Sequence, residues 1–187
     1  MDSRGVRSAL LVMDVQAGIV DRVGSAPGAL EPFVRAVGAA RAASLPVIYV
    51  RVGFRDGFPE VSPRNRSFAA IASGSARLGD VHPAVAPAPG EVVVTKRRVS
   101  AFSGSDLDVV LRARDIDSLV LTGIATSGVV LSTLREAADR DFRLTVLADA
   151  CLDADPEVHR MLIEKVFPRQ AEVTTVADWV RQLEVRP

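Results

Sequence analysis

Strand-length runs that stay apolar at every position, instead of alternating with polar residues, limit most what this chain can fold into. Residues 8–14 read SALLVMD, 45–51 LPVIYVR, 90–95 GEVVVT, 118–123 SLVLTG and 143–149 RLTVLAD, with a short sixth candidate at 171–174. A strand that is apolar on both sides must be covered on both faces, which is the habit of parallel sheets. Helical patterns separate these runs. Phe33, Val34 and Val37 recur at helical spacing within 29–44, and 106–113 follows Ser105 as an N-cap. Val130, Leu134, Ala137 and Ala138 fall on one face of 128–140, Pro156 stands first in 155–167, and 176–183 closes the chain. Strand–helix alternation of this kind predicts an α/β fold with helices on both sides of a parallel sheet, as one domain over residues 1–187.

One segment breaks the rhythm. Residues 53–89 are punctuated by Pro and Gly and hold a single weak helical stretch at 66–71. That is too long for an ordinary connection and reads as a lid or an oligomer contact. Phe54, Phe58, Phe68 and Ile71 are its apolar candidates for meeting a second copy and closing a pocket, so a homo-oligomer, a dimer first of all, is expected.

Composition excludes several function classes. With 187 residues, 48% of them hydrophobic, the chain can bury roughly 70% of its unfolded surface without a disulfide or metal staple. The 23 basic and 23 acidic residues balance, which argues against nucleic acid or an anionic membrane as partner. One cysteine, Cys151, permits no disulfide framework, and His82 and His159 lie far apart, so neither a metal site nor a cofactor is expected. The first seven residues are polar and no apolar run approaches ~20 residues, so a soluble, cytoplasmic protein is expected. Of the 23 basic residues only Lys96 and Lys165 are lysines. A lysine can be tuned by burial where an arginine cannot.

In open α/β sheets ligands bind beyond the carboxyl ends of the strands, so the residues there are the candidates. They are Asp14-Val15-Gln16 after the first run, Lys96-Arg97-Arg98 after the third, Gly123 to Val129 after the fourth, and Asp149-Ala150-Cys151 after the fifth. A carboxylate ending an apolar run is partly desolvated, which raises its pKa, and a nearby ammonium opposes that rise. Asp14 with Lys96 would thus make a general acid–base unit for a small-molecule substrate. The other reading is a turn-capping Asp and a solvated Lys. The small residues from Gly123 to Val129 let backbone N–H groups face an anion at a helix start, or they form an ordinary turn capped by Ser127. Cys151 is a nucleophile by composition alone. With no His close in sequence, it reads better as a buried, inert thiol.

These residues carry a resemblance. LLVMDVQAGIV, VVVTKRRVSAFSGSDLDVVLRA and LVLTGIATSGVVLSTLREAADRDF, followed by LADACLDADPEVH, resemble the isochorismatase-like hydrolases in both order and spacing, over residues 9–176. That superfamily includes nicotinamidases, carbamoylsarcosine amidases and isochorismatases. The resemblance implies a three-layer α/β/α, Rossmann-like fold with a six-stranded parallel sheet in the order 3-2-1-4-5-6. It implies catalytic roles for Asp14 and Lys96, and a cis peptide at Ile124–Ala125 that presents backbone N–H groups as an oxyanion hole. Gln16, Phe54, Phe102, Ile124, Ala125, Ser127 and Val129 are the substrate-binding candidates.

The chain departs from the amidase pattern at one position. Laid over residues 123–130, the nucleophilic Cys of G-[VI]-A-T-[NS]-x-C-V falls on Val129. The D-x-H spacing of the amidase metal site is replaced by Arg51-Val52-Gly53-Phe54. Isochorismatases do without the Cys, cleaving a vinyl ether by protonation with the Asp as general acid. They carry Gly and, two residues earlier, His where this chain has Val129 and Ser127. The expectation is a cysteine-independent hydrolase or lyase for a small, partly apolar metabolite. The alternative is a non-catalytic member that binds a small molecule.

Overall fold

The computed structural model describes residues 7–23, 26–75 and 78–185. Six strands form one parallel sheet: β1 (Ser8–Met13), β2 (Val47–Val52), β3 (Val92–Lys96), β4 (Ser118–Ile124), β5 (Arg143–Leu152) and β6 (Glu172–Thr174). Their order across the sheet is β3-β2-β1-β4-β5-β6, the expected one. All of β1 and β4 is buried, which is why those runs tolerate no polar alternation. Apart from Ser8 and Ser118 at the strand starts, the polar residue in these runs is Thr122, which donates its hydroxyl to the Leu11 carbonyl at 2.8 Å, so its burial leaves nothing unsatisfied.

Alternate residues along each strand face opposite helical layers. Ala9, Leu11 and Met13 pack with Leu107 and Leu111 of α4 (Leu107–Ala113) and with Leu134 and Ala137 of α5 (Leu131–Ala138). Leu162, just beyond α6 (Pro156–Met161), joins the same layer. Leu10 and Val12 face the other way, toward α1 (Ala17–Val23), α2 (Glu31–Ala42) and α7 (Val176–Val185).

Several elements differ from the sequence reading. Helix α1 was not expected, because a seven-residue helix directly after a strand gives too short a period to see. Strand β5 runs three residues past 149, through a register shift between Leu121 and Gly123 that pairs Cys151 with Gly123. Cys151 therefore sits within a strand, not after it. The helix expected at 128–140 opens as a wider, π-type turn over Thr126–Val130 before α5 begins. The helix expected at 155–167 starts where Pro156 and the Asp155 cap place it, then widens at Leu162–Val166. Pro168 has no N–H to continue it.

The 53–89 segment finds partners within the chain. Its short helix α3 (Arg66–Ala70) is capped by Asn65 and buries Phe68. Phe54 lies between Phe58 and Phe68, with ring centroids 6.0 and 5.4 Å away. Among the described residues no helix is long and apolar enough to cross a membrane.

Candidate active site

The strand order reverses between β1 and β4, and a ligand crevice is expected outside their carboxyl ends. Gly123 lets the two ends close up. It lies opposite Met13, and a Cβ there would stand 2.7 Å from the Met13 carbonyl oxygen. One residue on, Asp14 adopts the left-handed region at φ 55° and anchors its N–H to the Val50 carbonyl at 2.8 Å. The chain thus leaves the sheet at once and the carboxylate remains over the strand ends.

Lys96 arrives from the last position of β3, two strands away, beside Val52 of β2. Its Nζ lies 2.9 Å from Asp14 Oδ2 and also donates to the Arg98 carbonyl at 3.0 Å. Both residues are buried, Lys96 at 2% exposure and Asp14 at 6%. Asp14 Oδ1 is buried without any hydrogen-bond partner. Burial pushes the Asp14 carboxyl up to about 6, and the ammonium beside it, which pulls downward, does not cancel that rise. The pair expected from the strand ends is therefore formed.

A cavity of about 230 Å³ opens over Asp14 and Lys96. Ile19, Arg22 and Val23 line it from α1, at the i, i+3, i+4 spacing of one helix face. Val52 and Phe68 line it from the second strand and the 53–89 segment. Ile124, Ala125, Gly128 and Val129 supply the wall next to Asp14. The Ile124–Ala125 peptide is cis, as the resemblance implies. Val129 stands in the turn that opens the following helix and faces the same cavity as Asp14.

The other substrate-binding candidates lie elsewhere. Both ends of the Gln16 amide are taken: Nε2 donates to the carbonyls of Val52 (3.1 Å) and Gly79 (2.8 Å), and Oε1 accepts from the Val52 N–H (2.8 Å). Gln16 is a clasp between β1, β2 and the loop at 78–80. Phe102 points into the layer under α4 and α5, its ring 6.0 Å from Phe142 and capped by the Arg140 guanidinium at 4.6 Å. The Ser127 N–H donates to Asp153 Oδ2 at 2.7 Å, and Ser127 is exposed outside the cavity lining. Phe54 touches the site only through Phe68.

Cys151 is walled in at 2% exposure, and burial pushes its thiol up to about 12. His159 Nδ1 shares a 2.8 Å hydrogen bond with the buried Thr126 hydroxyl, tying α6 to the turn that carries Val129. Burial lowers the His159 pKa, against the opposing charge of Asp153. Among the described residues no three His, Cys, Asp or Glu side chains gather as a metal site would require. Sequence reading missed Ile19, Arg22 and Val23, whose spacing is the trace of α1, and Val52, which carries no chemical signature; Phe68, expected to help close a pocket, lines this one.

Residues 8–178 match the isochorismatase domain family. The uncharacterized isochorismatase family protein YecD of Escherichia coli O157:H7 is 36% identical over 180 residues, covering 94% of this chain and 96% of that protein. The ureidoacrylate amidohydrolase RutB of Methylobacterium radiotolerans is 35% identical over 202 residues, covering 91% of this chain and 74% of that one. The crystal structure of a cysteine hydrolase from Pseudomonas syringae pv. phaseolicola superposes with a TM-score of 0.84 at 29% identity, over 98% and 99% of the two chains. The sequence blocks, the strand order and the Asp14–Lys96 crevice thus coincide with a family match that runs almost end to end, and the protein belongs to the isochorismatase family.

Proposed function

We propose that this chain is a hydrolase for a small, partly apolar metabolite, in which Asp14 moves the proton and no thiol takes part. The observation that carries this is the unpartnered Asp14 Oδ1, buried in a cavity while Lys96 holds the other oxygen at 2.9 Å. A bare buried carboxylate oxygen is costly unless something else bonds to it, and Asp14 is one of the residues that line the cavity. Protonated at Oδ1, Asp14 gives its proton to the substrate atom whose bond is breaking. The carboxylate left behind is stabilised by the Lys96 ammonium. Water supplies the hydroxyl to the other fragment and the proton that resets Asp14. A carboxyl poised near 6 keeps enough of the protonated form near neutral pH for this exchange.

Support for a cysteine-independent route comes from the two positions a thiol could occupy. Val129 presents only methyl groups to the cavity, and Cys151 is sealed in the core with its thiol held well above neutrality. The RutB relatives cleave an amide-bearing acid by name, so small amides and ureas are the first substrates to screen.

The test is hydrolysis of such a panel by the wild type, Asp14→Asn and the iodoacetamide-treated enzyme. Turnover that survives alkylation and is lost with Asp14→Asn supports the proposal. Inactivation that tracks Cys151 modification, reproduced by Cys151→Ser, overturns the thiol-free mechanism. A wild type that binds panel members without turning any over favours the non-catalytic binder.

A further inference from the structure

The wall beside Asp14 is held from outside the cavity. Ile124, Ala125, Gly128 and Val129 form it, and the last two belong to the wide turn Thr126–Val130. Turns of this kind are rare, and the first N–H groups of any helix lack helical partners. Inside the turn the Gly128 and Val130 amides both reach the Ala125 carbonyl, at 3.1 and 3.3 Å. Two further bonds tie it to the segment after β5: Asp153 Oδ2 accepts the Ser127 N–H at 2.7 Å, and His159 Nδ1 lies 2.8 Å from the Thr126 hydroxyl. Thr126 is fully buried, so His159 satisfies a hydroxyl that water does not reach. The segment that supplies these groups is itself braced. Asp153 Oδ1 accepts the Asp155 N–H at 3.3 Å, and Asp155 Oδ1 caps α6 through the Glu157 and Val158 N–H groups at 2.9 and 3.2 Å.

From these contacts we infer that His159 and Asp153 are positioning residues of the active site, clamping the Thr126–Val130 turn so that Ala125, Gly128 and Val129 stand as the water-excluding wall beside Asp14. Neither residue lines the cavity, so both act through the turn and not on an occupant. The consequence falls on Asp14, for which burial is the largest influence. A turn released from outside lets water reach the carboxyl, and its pKa then falls from about 6 toward the ordinary 3.8. The other charged groups at the cavity are Lys96 on β3 and Arg22 on α1, and the turn carries no charge of its own. Removing the Thr126 hydroxyl therefore changes the access of water without changing the charges around Asp14. Protonation of His159, which faces the charge of Asp153, does not undo the clamp. A neutral Nδ1 accepts from the hydroxyl and a protonated one donates to it. This inference rests on the reading of Asp14 as the acid of the site and adds what keeps that acid dry.

The experiment is carbon-13 NMR of the labelled full chain, following the Asp14 carboxyl across the acid range, with hydrogen exchange of the Gly128 and Val130 amides on the same samples. Asp14→Asn removes the carboxyl signal and so assigns it. The wild type should titrate near 6. Thr126→Val and His159→Leu should each lower that midpoint by about half a unit or more, as water replaces an apolar wall. They should also speed exchange of the two amides about tenfold, the factor set by one hydrogen bond of ordinary worth. Thr126→Ser keeps the hydroxyl and His159→Asn keeps a polar group in place of Nδ1, so both should restore most of the wild-type behaviour. Asp153→Ala should act like Thr126→Val, whereas Asp153→Asn, which loses the same charge but keeps an acceptor for the Ser127 N–H, should not. A merely structural role would lower stability and leave the Asp14 midpoint of the folded chain in place. If Thr126→Val does not fold, His159→Leu, at a half-buried side chain, carries the test. An Asp14 midpoint unmoved in every folded variant, or moved as far by Thr126→Ser as by Thr126→Val, overturns the clamp and leaves the proposed reaction untouched. A wild-type midpoint near 3.8 overturns both, because the wall then keeps no water out. A midpoint displaced in the clamp variants, with turnover that survives Asp14→Asn, upholds the clamp and sinks the proposed reaction.

Discussion

Asp14 and Cys151 are hidden from solvent to nearly the same degree, 6% and 2% exposed, and burial raises the pKa of both. They end up chemically opposite. Asp14 stands just past the end of β1 with a cation at 2.9 Å, one oxygen unpartnered and a cavity beside it. Cys151 lies inside β5, opposite Gly123, among core side chains that include Val129 and Val130. The difference teaches that burial alone does not make a reactive group. The carboxyl is held near 6, where it exchanges protons at neutral pH, because Lys96 limits the rise. The thiol has no such partner and is carried out of the useful range.

The largest effect should come from breaking the reactive member of this comparison. Asp14→Asn keeps the shape but removes the transferable proton, and turnover should fall by roughly 10²–10⁴-fold, the usual worth of general acid–base catalysis. Lys96→Ala should cost a comparable factor by another route. Without the ammonium, burial loses its main opponent and only the weaker pull of the Val52 backbone remains, so the Asp14 carboxyl moves further above 6. Steady-state rates across pH would separate the two: Asp14→Asn flattens the profile, whereas Lys96→Ala displaces its limb to higher pH.

The pH profile of the wild type sharpens the same point. An acid role requires the protonated form, so kcat should fall as pH rises through about 6. A limb that rises through the same pH would assign Asp14 as the base. Stability carries an independent signature. Because the folded carboxyl titrates above its ordinary value, the folded chain binds more protons than the unfolded one between 3.8 and about 6. Stability on account of Asp14 is therefore highest below that window, falls as pH rises across it, and levels off above it. Denaturant titrations of wild type and Asp14→Asn should diverge in that window alone.

These expectations draw on parts of the molecule that differed in how readily the sequence showed them. The strands were legible because continuous apolar runs admit few other folds, and Asp14 and Lys96 because a charge at the end of such a run is conspicuous. Phe102 and Gln16 were misplaced for a related reason. A residue near a strand end in sequence can turn under the sheet, as Phe102 does toward Phe142, or be consumed by backbone, as Gln16 is by Val52 and Gly79. Val52 was invisible as a site residue because an apolar wall looks like core until the cavity is seen. The extension of β5 past 149 depends on a register shift that no local pattern encodes.

Gly123 tests how the reactive end of the sheet is held together. Gly123→Ala would place a methyl 2.7 Å from the Met13 carbonyl oxygen and 3.3 Å from a Val130 methyl, so the backbone must give way. Overpacking of this kind costs typically 1–3 kcal/mol. The strain falls one residue before Asp14, so kcat should drop further than stability accounts for. Thermal unfolding and kinetics on one preparation would show both. Unchanged activity at reduced stability would mean that the approach of β1 to β4 does not position the acid.

The smallest effect should come from the inert member of the comparison. Cys151→Ser exchanges a thiol for a smaller, more polar group in the core, where a hydroxyl needs a hydrogen-bond partner. The thiol already lies against the Gly123 backbone, which gives the serine a partner and keeps the cost to about 1 kcal/mol. Turnover should be unchanged, because Cys151 is absent from the cavity lining. Alkylation should be slow in the folded protein, since so buried a thiol is almost never a thiolate at neutral pH, and should accelerate only when denaturant opens the core. Mass spectrometry of iodoacetamide labelling against time, with activity measured on the same aliquots, reads all of this at once. Fast labelling under native conditions would show that β5 opens readily beside Gly123. Loss of activity in step with that labelling would erase the contrast between the two groups.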